Sequence, residues 1–242
     1  MNTENIVEQL NSALKHKCDG KLSMKFGKYN KILKQQSVST YSVSSAIATS
    51  QKPQYLLCLN YKNQCISSIE FKINSINQTV EISSKTNTEF EGRRYNLLLR
   101  AAAMLIAKHI IIPTRTHTMR TRSMRTRSMR SSKQMIKPKY IQALVSRAIN
   151  PVSTYLLVKY FNATNKEFDS YLKNNNISKP NLTMNDVQTF ENERWDNISD
   201  EDIENNSDFG EPLLLVVKFT DNETMKRIKQ VFEDTLERIG CP

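Results

Sequence analysis

The residues of this 242-residue chain best suited to chemistry lie between a predicted strand and a predicted helix. Residues 81–99 read EISSKTNTEFEGRRYNLLL and place Gly92, Arg93 and Arg94 just ahead of an apolar run. At a helix start, free backbone N–H groups and the positive end of the helix dipole attract anions. A glycine turn with two arginines therefore predicts a phosphate or pyrophosphate site. The alternative is an ordinary turn with solvated arginines.

The same segment resembles the GNAT family of acetyl-CoA-dependent N-acetyltransferases. In that family a strand of the form [Leu/Ile]-x-Val-x-Pro leads into [Arg/Gln]-x-x-Gly-x-[Gly/Ala] and a helix that opens with paired leucines. The matching positions are Ile82, Ser84 and Thr86 on the strand, Glu89, Gly92 and Arg94 in the loop, and Leu97 and Leu98 on the helix.

A second segment resembles another GNAT motif, a helix of the form Asn-x-x-Ala-x-x-Leu-Tyr-x-Lys. Residues 150–162, NPVSTYLLVKYFN, place Asn150, Ser153, Leu156 and Lys159 in register with it. Together the two matches cover roughly residues 54–112 and 140–164. The strand, loop, helix, strand and helix that these segments predict follow the order of the family.

The resemblance implies transfer of an acetyl group from acetyl-CoA to an amine, which is carried by a small molecule or a protein. It places the cofactor on Ser84, Thr86, Gly92, Arg93, Arg94, Tyr95, Asn96, Asn150 and Ser153. Glu81 is the candidate base, because it alternates with Val80 and Ile82 on the strand. Leu157 occupies the family's tyrosine position, so Tyr155 becomes the candidate acid, with Tyr160 as its neighbour on the same helix.

The pattern of elements around these residues predicts an α/β or α+β domain. Ile6, Leu10 and Leu14 indicate an N-terminal helix, and residues 54–60 and 65–73 indicate a hairpin. The elements that follow are a third strand, an apolar helix from Leu97 to Ile110, a strand at 142–148, a helix capped by Asn150, a strand at 213–219 and a final helix capped by Asp221 or Asn222. With the resemblance, the expectation is one GNAT-like domain over residues 1–242, with a mixed central sheet flanked by helices.

Two polar segments are expected to be disordered insertions in this domain. The basic segment 114–137 contains the tandem repeat TRSMR, has no apolar face and lacks acids. The cationic stretch that begins at Arg115 and ends at Lys139 could bind nucleic acid without sequence preference, or could be a tolerated loop expansion. Segment 166–211 is polar and then acidic, and is also expected to be flexible. These segments support an alternative function: a catalytically silent GNAT-like module that binds nucleic acid or a protein.

Composition limits the classes of function that remain. The 38% apolar content supports a folded core, and the formal charge of +11 favours anionic partners. The most apolar stretch is interrupted by Arg100, Lys108 and His109, so no membrane span is expected. Four cysteines without paired spacing and an N-terminus without an apolar signal segment predict reduced thiols and an intracellular location, cytoplasmic or nuclear.

Overall fold

A computed structural model describes residues 2–35, 52–112, 138–148, 150–196 and 213–242. Their fold is α/β, with a mixed six-stranded sheet in the order β1-β2-β3-β4-β7-β8 and helices packed against it. This confirms the predicted mixed sheet flanked by helices. The basic segment 114–137 lies outside the described residues.

The strands are antiparallel except where β4 meets β7, which run parallel. A separate two-stranded ribbon pairs β5 with β6. Their bounds are β1 Leu22–Lys28, β2 Tyr55–Tyr61, β3 Gln64–Asn74, β4 Thr79–Thr86, β5 Ile111–Ile112, β6 Lys139–Tyr140, β7 Ala143–Ala148 and β8 Leu213–Lys218.

Seven α-helices occur in the described part of the chain. Their bounds are α1 Thr3–Cys18, α2 Tyr29–Gln35, α3 Tyr95–Ala107, α4 Pro151–Phe161, α5 Lys166–Asn174, α6 Met184–Asp196 and α7 Asn222–Arg238. Short 3-10 turns lie at Thr88–Phe90 and Lys179–Asn181. None of these helices is both long and apolar enough to cross a membrane.

Local sequence explains where the helices near the site begin. The Asn150 side chain accepts a hydrogen bond from the Ser153 amide at 2.9 Å, and Pro151 follows as the first residue of α4. The Asp221 side chain accepts from the amides of Glu223 and Thr224 at the start of α7. Both caps confirm helix starts that the sequence predicts.

The core is centred on α3, which packs on β2, β3 and β4 and against α1 and α7. Its alanines, together with Leu98 and Leu99, are fully buried, as an apolar helix of this kind requires. A small second cluster, Ile32 with Leu56 and Cys58, lies apart from this core and joins α2 to the sheet. Burial on α3 fixes the helix that begins at the candidate site.

Segment 166–211 differs from the predicted flexible insertion, because residues up to Asp196 form α5 and α6. Phe168 and Phe190 pack edge to face at 4.6 Å between ring centroids, and Leu172 and Val187 are buried with them. These apolar side chains are spaced among many polar ones, so composition alone conceals the packing. The acidic residues beyond 196 up to 211 lie outside the described part.

The expectation of reduced thiols is wrong for two of the four cysteines. Cys18, at the end of α1, forms a disulfide with Cys241 near the C-terminus, with 5.4 Å between their Cα atoms. The residues are 223 positions apart, so their spacing in sequence gave no sign of the pair. Cys58 and Cys65 are free.

Breaking this disulfide should weaken the fold, because it constrains nearly the whole unfolded chain. Replacing the exposed Cys241 with Ser is expected to lower the free energy of unfolding by about 2–4 kcal/mol in non-reducing urea titrations. A reductant should bring the wild type to the same midpoint and leave the variant unchanged. Equal midpoints for the oxidised wild type and the variant would contradict the assignment.

Candidate functional site

The most unusual feature of the sheet is the short contact between its two parallel strands. β4 and β7 pair at Thr79 with Ala143 and at Val80 with Leu144, although both strands continue further. Beyond those pairs β4 stays in register with β3, and β7 stays in register with β8. The facing edges of residues 81–86 and 145–148 are therefore not paired with each other. We refer to this unpaired region between the carboxyl-terminal parts of the two strands as the gap.

The turn between β4 and α3 follows the carboxyl end of β4, where the two strands are not paired. Gly92 and Arg94 both have left-handed backbone conformations, with φ of 76° and 65°. A Cβ atom on Gly92 would meet nothing within 4 Å, so space is open beside it. The amides of residues 92–97 donate to no acceptor among the described residues, and the arginines are exposed. A turn with available donors therefore stands where the sequence predicts an anion site, and anion binding itself stays a prediction.

Ser84 and Asn96 are the predicted cofactor-binding residues that the structure brings into direct contact. Asn96 Nδ2 donates to Ser84 Oγ at 3.0 Å. A third residue joins them: Arg100 donates from Nη2 to Ser84 Oγ at 2.8 Å and from Nε to Asn96 Oδ1 at 2.7 Å. Sequence reasoning treated Arg100 only as an interruption of an apolar stretch. Its spacing of four from Asn96 was the available signal.

Thr86 and Tyr95 have structural partners instead of facing a ligand with their side chains. Thr86 Oγ1 lies 2.7 Å from Ser67 Oγ on the neighbouring strand β3. Tyr95 is buried, and its hydroxyl donates to the Gly240 carbonyl at 2.7 Å. Burial raises the pKa of Tyr95, which keeps this hydroxyl protonated. At Tyr95 the backbone amide is the group left for a ligand.

Residues 150–162, the second segment that resembles the GNAT family, form α4 and its two flanking residues. The Asn150 side chain caps that helix through the Ser153 amide, so its carboxamide oxygen already has a donor. Arg93 stacks over Phe90, with its guanidinium carbon 5.4 Å from the ring centroid. This contact holds one arginine near the turn, while Arg94 is the residue that precedes α3.

The two candidate catalytic residues occupy different elements. Glu81 is the first residue of β4 beyond the parallel pairs, and its Oε1 lies 3.8 Å from Arg147 Nε on β7. Because side chains alternate along a strand, Glu81 and Ser84 point to opposite faces of the sheet. Tyr155 is half-buried on α4 and packs edge to face on Tyr160, 6.2 Å between centroids. No hydrogen bond joins Glu81 to Tyr155 among the described residues.

The described residues give little support for metal-dependent or cysteine-based catalysis. No group of three His, Cys, Asp or Glu there could hold a metal ion. A hydrogen bond with Cys58, together with burial, raises the pKa of the Cys65 thiol, so the nucleophilic thiolate is disfavoured. Cys58 is fully buried and Cys65 is partly buried.

Comparison with known proteins does not identify a family. The chain matches no family model, and it matches no curated protein. The functional argument therefore depends on the geometry of the gap, the turn and the polar cluster beside them.

The left-handed conformation at Arg94 gives a direct test of the turn. Arg94→Gly should raise the free energy of unfolding by up to about 1 kcal/mol, since a glycine adopts this conformation without the steric cost of a Cβ atom. Arg93→Gly is the matched control; Arg93 lacks a positive φ, and its replacement should lower stability slightly. Urea unfolding of both variants measures the difference. An equal loss of stability in the two would refute the assigned turn.

Proposed function

We propose that this chain is a GNAT-like N-acyltransferase, which moves an acetyl group from acetyl-CoA to an amine. The observation that carries the proposal is the separation of the parallel strands β4 and β7 after Val80 and Leu144, beside a turn with unpaired amides. An extended ligand arm could lie in the gap and hydrogen-bond to the strand edges. Its anionic end would then meet the turn.

The residues present fit such a cofactor. Gly92 leaves open space for a diphosphate, and the amides of residues 92–97 supply donors at the positive end of α3. Arg93 and Arg94 can add charge-assisted hydrogen bonds from the exposed side of the turn. Glu89 and Glu91 are also exposed there. These two carboxylates therefore partly offset the positive electrostatic potential of the two arginines.

Acetyl-CoA supplies an activated acyl group, whose C–S bond breaks as the new C–N bond forms. Glu81 takes one proton from the ammonium group of the acceptor, which frees the nitrogen lone pair for attack. A backbone N–H near Ser84 stabilises the negative charge that develops on the carbonyl oxygen. Tyr155 gives a proton to the departing sulfur and recovers one from the amide nitrogen.

The catalytically silent alternative shares the binding site but not the chemistry. It predicts that acetyl-CoA binds and that no free thiol is released with any amine. Contact with nucleic acid through the stretch from Arg115 to Lys139 stays a prediction from the sequence, since residues 113–137 lie outside the described part. An intracellular location also stays a prediction. The Cys18–Cys241 disulfide does not favour it, because disulfides are rare in reducing compartments.

Titration with acetyl-CoA tests cofactor binding. A ligand at about 100 times its dissociation constant adds about 2.7 kcal/mol of stability, which a thermal-shift assay detects. A double variant with both Arg93 and Arg94 changed to Ala should bind acetyl-CoA about tenfold more weakly or worse, because each substitution removes a charged donor to phosphate.

The matched control replaces Lys226 and Lys229 with Ala. This pair removes the same charge from exposed positions of α7, where each lysine pairs with a glutamate of its own helix. The control should retain the affinity of the wild type for acetyl-CoA. Absence of a shift for the wild type, or equal affinity in both double variants, would count against the proposed site.

Glu81→Gln tests the proposed base. The change keeps the size of the side chain but removes its ability to take a proton, so kcat should fall by about 10²- to 10⁴-fold. Affinity for acetyl-CoA should stay unchanged, because the carboxylate lies on the face opposite Ser84. Thiol release with an amine acceptor gives the rate. Full activity of the variant would exclude Glu81 as the base.

A further inference from the structure

The C-terminal tail, residues 239–242, joins two elements that are distant in sequence. Helix α7 ends at Arg238, and Ile239 after it is buried. The next residue, Gly240, accepts a hydrogen bond at its carbonyl from the Tyr95 hydroxyl of α3, at 2.7 Å. Cys241 then forms the disulfide with Cys18 of α1. The tail therefore connects the end of α1 to the start of α3.

The two sulfur atoms of this disulfide differ in their access to solvent. Cys18 is only 2% exposed, whereas Cys241 is exposed. A disulfide is opened by attack of a thiolate on one of its sulfur atoms, at a rate that depends on access. Exposed disulfides are accordingly the labile and regulatory ones. A small thiol thus has a reactive site at Cys241.

Opening the disulfide would release the end of the tail and leave α7 in place. Lys17 Nζ donates to the Glu237 carbonyl at 2.8 Å, which holds the end of α7 to the end of α1 without the disulfide. Ile239 is buried in the main core, and α7 packs along α3. The residues set free are therefore those from Gly240 to Pro242, and the Tyr95 hydroxyl loses its fixed acceptor.

Tyr95 links the tail to the turn that precedes α3. It is the first residue of that helix, and its ring lies against Phe90, with 6.4 Å between the ring centroids. Phe90 in turn carries the guanidinium of Arg93 over its own ring. The amides of residues 92–97 follow from the same turn. Anchoring the Tyr95 hydroxyl therefore steadies the ring contacts and the amides that the ligand would meet.

We infer that the Cys18–Cys241 disulfide is a thiol-exchange site that controls the affinity of the turn at Gly92 for its ligand. The inference rests on the proposed function for the identity of that ligand, acetyl-CoA. The oxidised form binds more tightly, because its helix start is already fixed before the ligand arrives. Disulfides in reducing compartments are usually transient and redox-sensing, which agrees with this role.

The co-reactant is a low-molecular-weight thiol such as glutathione. Its thiolate bonds to Cys241 Sγ, the protein S–S bond breaks, and the electron pair leaves on Cys18 Sγ, which takes up a proton. A second thiol then bonds to the sulfur of the first, and Cys241 leaves as a thiolate that is protonated in turn. The protein disulfide gains two electrons, and two thiol molecules become one disulfide.

Calorimetry of acetyl-CoA binding to the oxidised and reduced full chain tests the coupling. A phosphine reductant opens the disulfide without adding a thiol that would attack the thioester. The reduced wild type should bind about 5- to 10-fold more weakly. Tyr95→Phe should bind equally in both redox states, because the hydroxyl that transmits the effect is absent. Tyr171→Phe, the matched control on α5, should keep the redox effect of the wild type.

Mass spectrometry after brief exposure to glutathione tests the site of attack. The mixed disulfide should form on Cys241, since Cys18 is buried. A mixed disulfide on Cys18, or a disulfide that resists glutathione, would overturn the inference.

The remaining outcomes separate the switch from the proposed function. Equal affinity of the two redox states of the wild type, or an undiminished redox effect in Tyr95→Phe, would overturn the switch and leave acyl-CoA binding intact. Loss of the circular dichroism of the fold on reduction would overturn it too. Absence of binding in both states would overturn the proposed function. Hydrogen exchange of the free protein then decides: faster exchange at residues 92–97 on reduction supports the switch, and unchanged exchange overturns it.

Discussion

Two residue pairs, Thr79 with Ala143 and Val80 with Leu144, join the β1-to-β4 half of the sheet to the β7-to-β8 half. Next to them the Gln142 amide donates to the Gln78 carbonyl at 2.8 Å. Because backbone N–H and C=O groups need partners, strand edges that separate beyond these pairs must use water or a ligand. The divergence of β4 from β7 therefore creates the one place in the described sheet where interior strand edges are left without a strand partner.

Helix α3 connects this gap to the rest of the protein. The hydroxyl of its first residue, Tyr95, donates a hydrogen bond to the Gly240 carbonyl. Cys241, which follows Gly240 in the chain, forms the disulfide with Cys18 of α1. The start of α3 is thus fixed by the C-terminal tail as well as by its own packing. A rigid helix start keeps its unpaired amides directed at one place, which is what a preorganised anion site requires. Arg100, on the same helix, is held by the same packing.

Much of the fold could be predicted from local sequence. Alternating apolar residues revealed β3 and β4, a continuous apolar run revealed β2, and the side chains of Asn150 and Asp221 marked the starts of α4 and α7. Strand β1 was missed although Leu22, Met24 and Phe26 alternate, because the segment is rich in lysine. Helices α5 and α6 were missed because their few buried aromatic residues are separated by polar ones, and only packing shows their role.

For the candidate site, the sequence predicts the turn at Gly92 but not the polar cluster of Ser84, Asn96 and Arg100. Gly92 and two arginines before an apolar helix indicate an anion site from residue type and order alone. Burial of Arg100 depends on which face of α3 meets β4, which sequence spacing leaves open. The same is true of Cys18 and Cys241, which come together only through the path of the whole chain.

Hydrogen exchange with and without acetyl-CoA tests the gap between β4 and β7 most directly. Amides at the unpaired edge of residues 81–86 and at residues 92–97 should exchange more slowly when the ligand is bound, while α5 and α6 should be unaffected. Protection confined to other parts of the chain, or unchanged exchange at a saturating ligand concentration, would contradict the assignment of this gap as the acyl-CoA site.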